Sequence, residues 1–327
     1  MTGRDGPGRR WRIAAGLAVS AVALAAAFHR VQWAEFGAAL SRVRPPFILL
    51  GLVLTQLELA AGAWRWQRLL LPVRPSRVWG DCYHPFMAGY FFNQVLPMRP
   101  GEILRAFAFS RARGAPVAGV LATAVVEKLL DVVALAALTA LAALVIELPP
   151  DIRWAATACG VGAVLAGVAL VFACWRIERG AGESLVRWLP ARVRAAWCGV
   201  LDDAVRGLRA LRTPRELAGG LALSLLIWGV GVLVTQSYLW AFGLRLPWYA
   251  AALVLAVVNL GMMLPSSPGA IGVAHLLYVV SLGLVGVERS TAAAFGVVAH
   301  GVPFLQVLIS GLLSLWLGGL SARRDEE

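Results

Sequence analysis

Six ionisable residues stand in apolar surroundings. Arg99, Glu102 and Arg105 lie where an apolar run is broken by prolines, and Glu127, Lys128 and Asp131 interrupt an otherwise uncharged apolar stretch. Guanidinium groups at a helix start can hold an anion, because their N–H fork matches phosphate or carboxylate oxygens and the unpaired backbone N–H groups add positive potential. A helix restarting near Pro100 brings that end to Arg99 and Arg105. Glu102 and Arg105, three apart, can pair with each other. The plain alternative is three solvated loop charges. A functional role is favoured, since ionisable groups inside a membrane are costly and usually do something. Glu127 and Asp131, four apart, share a helix face, and Lys128 is three from Asp131. That trio can act as a proton relay or as a counter-site for a cationic headgroup. Equally, it can be structural, with the lysine neutralising a carboxylate.

The break at the first group is written twice. Leu96-Pro97-Met98-Arg99-Pro100-Gly101 and Leu264-Pro265-Ser266-Ser267-Pro268-Gly269 share the frame L-P-x-x-P-G. Each follows an apolar run with one asparagine, Asn93 or Asn259, and each precedes residues able to restart a helix, Glu102 to Phe109 and Ala270 to Val280. Pro97, Pro100 and Gly101, like Pro265, Pro268 and Gly269, must interrupt a helix. At membrane depth such backbone is tolerated only when buried in protein or lining a wet cavity. Asn93, Ser266 and Ser267 can donate hydrogen bonds there. The substrate-binding candidates are therefore Arg99, Glu102, Arg105, Asn93, Ser266 and Ser267.

Composition sets the class. The chain has 327 residues, is 59% hydrophobic and has a mean hydropathy of +0.73. That describes a polytopic membrane protein. The formal charge is +12, and Lys128 is the single lysine. Cys82, Cys159, Cys174 and Cys198 show no C-x-x-C spacing, and His29, His84, His275 and His300 form no metal-binding motif. No metal, cofactor or catalytic residue is expected, and no nucleic-acid partner.

Six full spans and two broken segments follow in order. Ile13 to Phe28 is read as an uncleaved first span, and 29–45 as a short helix in the interface, with Trp33, Phe36, Leu40 and Val43 on one face. Pro46 to Trp64 is the second span, closed by Arg65-Trp66-Gln67-Arg68 as an interfacial anchor. Residues 81–113 form the first broken segment, and 116–146 and 154–175 are spans. Residues 176–215 hold nine arginines and an apolar stripe, Val193, Trp197, Val200, Leu201, Ala204, Leu208 and Leu211. They suggest a cytoplasmic amphipathic connection on an anionic leaflet. Spans 217–242 and 291–320 flank the second broken segment, 248–287. Glu58 and Gln56 in the second span, and His300 and Gln306 in the last, are weaker polar positions.

If both broken segments return to the side they entered, twenty-one basic residues fall on the cytoplasmic side and six outside, with Arg99, Arg105 and Lys128 left in the membrane. This obeys the positive-inside rule. The expected fold is thus an all-α polytopic membrane protein, 1–327 forming one transmembrane domain. Residues 46–146 and 217–320 form an inverted repeat of span, re-entrant hairpin and span. Such repeats place a substrate near the midplane between the hairpins.

At these residues the chain resembles the flippase-like transmembrane domain of lysylphosphatidylglycerol synthases. The likeness is carried by Arg65-Trp66, by Asn93-x-x-Leu96-Pro97-x-Arg99-x-Gly101-Glu102-x-x-Arg105, by Glu127-Lys128-x-x-Asp131 and by Leu264-Pro265-x-x-Pro268-Gly269-x-x-Gly272. Lys128 stands where that family often has arginine, and His300 where a basic residue is expected. The resemblance implies lipid translocation. The fused proteins add a soluble aminoacyl-transfer domain; with the chain ending at Glu327, that synthase activity is expected to be absent. The lipid itself does not carry over, since subgroups sit with hopanoid or glycolipid pathways.

The expected function is a flippase-like transporter for a lipid with a phosphate or other polar headgroup, in a bacterial or archaeal cytoplasmic (inner) membrane, with both termini cytoplasmic. Lipid-synthesis enzymes are further candidate partners. Two alternatives stand beside it: a membrane-embedded transferase acting on a lipid or polyprenyl phosphate, and a non-transporting factor of a lipid-synthesis complex.

Overall fold

A computed structural model describes residues 7–76, 78–143, 191–208, 213–262 and 267–324, with isolated residues between 154 and 176. Ser266, Pro265, the span expected at 154–175 and much of the 176–215 connection lie outside these. The described residues form eleven α-helices: α1 Pro7–Phe28, α2 Trp33–Ser41, α3 Pro45–Leu70, α4 Trp79–Val95, α5 Gly101–Arg113, α6 Val117–Ala143, α7 Ala191–Leu208, α8 Pro214–Ala241, α9 Trp248–Gly261, α10 Val273–Leu284 and α11 Arg289–Arg324. A single 3-10 turn, Pro268–Ala270, precedes α10.

Among the described residues, three helices are long and apolar enough to cross a membrane: α3, α8 and α11. The α1–α2 pair, bent by 87°, makes a fourth if counted as one span. The bend sets α2 off as a separate short helix, with no buried residue of its own. α6 has the length, 27 residues, but carries Glu127, Lys128 and Asp131. Both prolines-and-glycine frames interrupt helices where expected. α4 stops at Val95 and α5 starts at Gly101; α9 stops at Gly261 and α10 starts at Val273.

The chain folds as two compact units, each built from discontinuous segments. One holds 1–57, 90–100 and 230–310. In it α10 packs against α9 and α1. Its core is small and apolar, with Ala250, Ala251, Leu253, Val254, Ala274 and Phe295 all buried. The N-terminus of α11 is tied to the α1–α2 corner: Arg289 donates to the carbonyls of His29 and Ala26, and Ser290 Oγ accepts the Gln32 N–H.

The other unit holds 58–89, 101–229 and 311–327, with α6 packed on α5 and α7. The α6–α7 crossing is close because glycines meet: a Cβ on Gly207 would collide with the Gly119 carbonyl. Asp203 and Gly207 thus face α6, while Trp197 and Val200 of the expected stripe remain exposed. Leu69, Val126 and Leu130 form a buried apolar cluster beneath the polar groups described next.

Candidate functional site

In the unit that contains both breaks, the two repeated frames meet. The chain turns through Met98 and Arg99 at positive φ, 66° and 49°. This sends the Arg99 guanidinium to the end of α9, where Nη1 donates to the Met262 carbonyl at 2.9 Å. A helix C-terminus leaves carbonyls unpaired and carries partial negative charge, so a guanidinium is stabilising there. At the second break Gly269 (φ 65°) sits where a Cβ would collide with the Phe304 ring and reach the Gln94 carbonyl. The Ser267 N–H donates to Ser20 Oγ at 3.0 Å, and Ser267 Oγ donates to the Ile271 carbonyl at 3.1 Å. Gly272 (φ 92°) passes so close to the Ser20 carbonyl that a Cβ would collide with it. His275 begins α10 with Nδ1 accepting the Gly272 N–H, and its ring lies 5.3 Å from that of His300. Asn259 is occupied by its own helix, donating to the Leu255 carbonyl. Asn93 sits half-buried on the last turn of α4.

The second unit buries a charge network. α3 runs past Trp64 to Leu70, so Arg65 is not the interfacial anchor expected from the sequence. It is 3% exposed and forms a two-point pair with Asp131, Nη1–Oδ1 at 2.6 Å and Nη2–Oδ2 at 3.2 Å. Nη1 also donates to Ser224 Oγ at 2.6 Å, and Nη2 lies 3.5 Å from Glu127 Oε1. Trp228 Nε1 donates to Asp131 Oδ1 at 3.1 Å. Arg65 therefore links α3 to α6 and α8.

Arg105, also 3% exposed, reaches Glu127 with Nη2 at 2.9 Å. Its guanidinium lies over the rings of Trp66 and Phe86, 4.9 and 5.1 Å from their centroids. Both contacts favour a desolvated cation. Trp66 is held by its indole N–H on Thr123 Oγ1 and by an edge contact with Phe109. Gly89 lets α4 approach the Gly101 carbonyl and the Arg105 stem. Arg105 Nε is buried and has no acceptor among the described residues.

The pairing differs from the one suggested by spacing along α5. Glu102 pairs with Lys128 at 3.1 Å in a half-exposed bridge, and Arg105 turns inward to α6. Arg65, Arg105 and Glu127 are buried and Asp131 is partly so; together they are formally neutral, which offsets the cost of taking these charges out of water. Lys128 leaves the trio for the Glu102 carboxylate of α5. Sequence reasoning missed Arg65 as a partner, along with Ser224, Trp228, Trp66 and Phe86. The available signal was Arg65 within a continuous helical run.

Residues 13–311 match the family described as lysylphosphatidylglycerol synthase TM region. The chain belongs to that family. It is 24% identical to a UPF0104 membrane protein of Methanothermobacter thermautotrophicus over 315 residues, covering 91% of this chain and 93% of the relative. It is 25% identical over 344 residues to glycosyltransferase AglD of Haloferax volcanii, covering 94% of this chain and 54% of the relative. The chain thus spans about half the length of that second relative.

Proposed function

We propose that this member of the lysylphosphatidylglycerol synthase TM family is a flippase-like transporter, moving a lipid with a phosphate or other polar headgroup between leaflets. The observation that carries this reading is the meeting of the two breaks in one unit, where Arg99 holds the Met262 carbonyl and a Cβ on Gly269 would come within 3.5 Å of the Gln94 carbonyl. Polar backbone and a guanidinium in an apolar helix assembly offer a headgroup what water offers outside. In this reading 81–113 and 248–287 are re-entrant hairpins entering from opposite sides, the termini are cytoplasmic, and the membrane is a bacterial or archaeal cytoplasmic one.

The chemistry follows from the donors. Arg99 is exposed, and the rest of its fork can turn to an anion while Nη1 keeps Met262. Arg105 is engaged by Glu127 through one nitrogen and has Nε to spare. An anionic headgroup reaching it competes with Glu127 for the same fork. The chain itself transfers no group; synthesis of the lipid is left to partner enzymes. The relative named as a glycosyltransferase favours a second reading, in which this membrane domain serves a sugar-transfer enzyme without moving its lipid.

Reconstitution separates the two. Purified protein in liposomes carrying a trace of fluorescent phosphatidylglycerol should expose inner-leaflet lipid to an external quencher faster than protein-free liposomes do. Arg99→Gln and Arg105→Gln should each slow the exchange. Wild-type protein that leaves the exchange at the protein-free rate, for phosphate-bearing and glycosylated lipids alike, would overturn the transport reading and leave the second.

A further inference from the structure

α5 and α6 pack on each other, and a short turn at 114–116 joins them. Glu102 and Lys128 each lie about 16 Å along their helix from that turn, at about 1.5 Å per residue. Their side chains meet there, with Lys128 Nζ 3.1 Å from Glu102 Oε1. The bridge faces outward, Lys128 being 51% exposed and Glu102 28%. Arg105 and Glu127, on the same two helices, turn inward to each other.

The depth of the bridge follows from its neighbours. α6 is uncharged on both sides of Glu127, Lys128 and Asp131. Asp131, about one turn beyond Lys128, accepts the Trp228 indole N–H at 3.1 Å, and Trp228 stands within the apolar span of α8. Ile103 and Phe107 of α5 and Val125 of α6 are exposed and apolar, as residues that face lipid are. A carboxylate and an ammonium exposed at that depth do not rest in hydrocarbon; charged groups there line water or hold a polar ligand. Nor does stability account for them, since a pair this exposed contributes little to the fold.

We propose that the Glu102–Lys128 face of α5 and α6 is a wet binding site for the phosphate of a lipid headgroup, with Lys128 as the residue that holds it. The inference deepens the transport reading above and rests on it. A lysine ammonium is a compact point charge with three donors on a flexible stem. Glu102 satisfies it while the site is empty of lipid, and a phosphate oxygen offers it the same kind of partner. The headgroup therefore exchanges one anion for another at Lys128, without leaving the cation bare at any stage. Its acyl chains have apolar, exposed side chains beside them in Ile103, Phe107 and Val125. An incoming headgroup meets this exposed lysine before the buried Arg105, which Glu127 holds.

Two measurements test this. The first uses a background without Cys82, Cys159, Cys174 and Cys198, in nanodiscs of a phosphate-free glycosyl-diacylglycerol. Glu102→Cys should react with a charged, water-soluble thiol reagent. Leu226→Cys, at an exposed position of the α8 span, should react far more slowly. Adding phosphatidylglycerol to the discs should slow the Glu102→Cys reaction about tenfold, the worth of one hydrogen bond to a charged group, and inorganic phosphate should not. In Glu102→Cys with Lys128→Gln the lipid should give no protection. Labelling of Glu102→Cys no faster than that of Leu226→Cys overturns the proposal, because lipid or another subunit then covers this face. Protection by inorganic phosphate alone overturns the lipid assignment, and protection that survives Lys128→Gln overturns the role of the lysine. The second measurement is lipid exchange in liposomes. Lys128→Gln should slow the exchange of phosphatidylglycerol about tenfold with little change in melting temperature, and Lys128→Arg should restore most of it. Exchange by Lys128→Gln at the wild-type rate overturns the proposal. If wild type moves no lipid, the transport reading falls, while the labelling still decides whether a lipid phosphate binds at Lys128.

Discussion

Arg65 and Asp131 face each other through two parallel contacts, Nη1–Oδ1 at 2.6 Å and Nη2–Oδ2 at 3.2 Å, across α3 and α6 in one compact unit. The fork-to-carboxylate geometry, with Ser224 and Trp228 filling the remaining directions, makes this the tightest polar link between those helices. Removing one partner strands the other, which for buried pairs costs about 3–5 kcal/mol. Arg65→Met should therefore lower thermal stability in detergent strongly, and Arg65→Lys should recover only part, since an ammonium cannot span both oxygens. Arg65→Met with Asp131→Leu should be more stable than either single variant. A double variant no better than the worse single one would show that the pair does not act as a unit.

The Glu102–Lys128 bridge should behave differently. Lys128 is 51% exposed and Glu102 28%, and exposed pairs contribute about 0–1 kcal/mol. Lys128→Ala should change the melting temperature little, whereas Glu127→Gln, at the buried end of the same turn, should destabilise clearly. Parallel melting curves of the two variants decide it.

Backbone at the second break gives a sharper contrast. Gly272 and Gly243 both have positive φ, 92° and 71°. A Cβ on Gly272 would strike the Ser20 carbonyl, while one on Gly243 meets nothing within 4 Å. Gly243→Ala should cost only the strain of the conformation, about 1 kcal/mol. Gly272→Ala should cost more and disturb the break. Equal losses of stability would mean that the α1 contact at Gly272 does not form.

Topology can be read by labelling. In a background without Cys82, Cys159, Cys174 and Cys198, a cysteine replacing exposed Ala112 after the first break should react from the cytoplasm. One replacing Val287 after the second should react from outside. Labelling of both from one side with an impermeant reagent would rule out oppositely oriented hairpins.

Glu288 supplies a pH dependence. It precedes α11 and accepts the N–H groups of Ser290 at 2.7 Å and Thr291 at 2.9 Å. Slight burial raises its carboxyl, but these hydrogen bonds outweigh it and hold the group below its ordinary value of 4.5. A depressed folded value means stability that is fully present above the unfolded value and lost as pH falls through the folded one. Wild type should melt above Glu288→Ala at neutral pH, and the two curves should converge on acidification below about pH 4. A gap that persists in acid would mean that the carboxylate charge is not what caps α11.

What the sequence determined by itself was the helical, membrane-embedded class, the family, and the place of both breaks. Apolar length and the Pro-Gly frames act locally: a proline lacks the N–H that a helix needs, wherever the segment ends up. The helices stop at Val95 and Gly261 accordingly. Local spacing also singled out Arg105, Glu127 and Asp131, because ionisable residues in apolar runs must be buried against something. It could not say against what. Arg105 passes over Glu102, three residues away on its own helix, for Glu127 on α6, and Arg65 leaves an apparent anchor motif to hold Asp131. Those pairings depend on which helix faces lie together. That is decided by close approaches such as Gly89 on Gly101 and Gly119 against Asp203 and Gly207, through shape rather than through spacing along one strand of sequence.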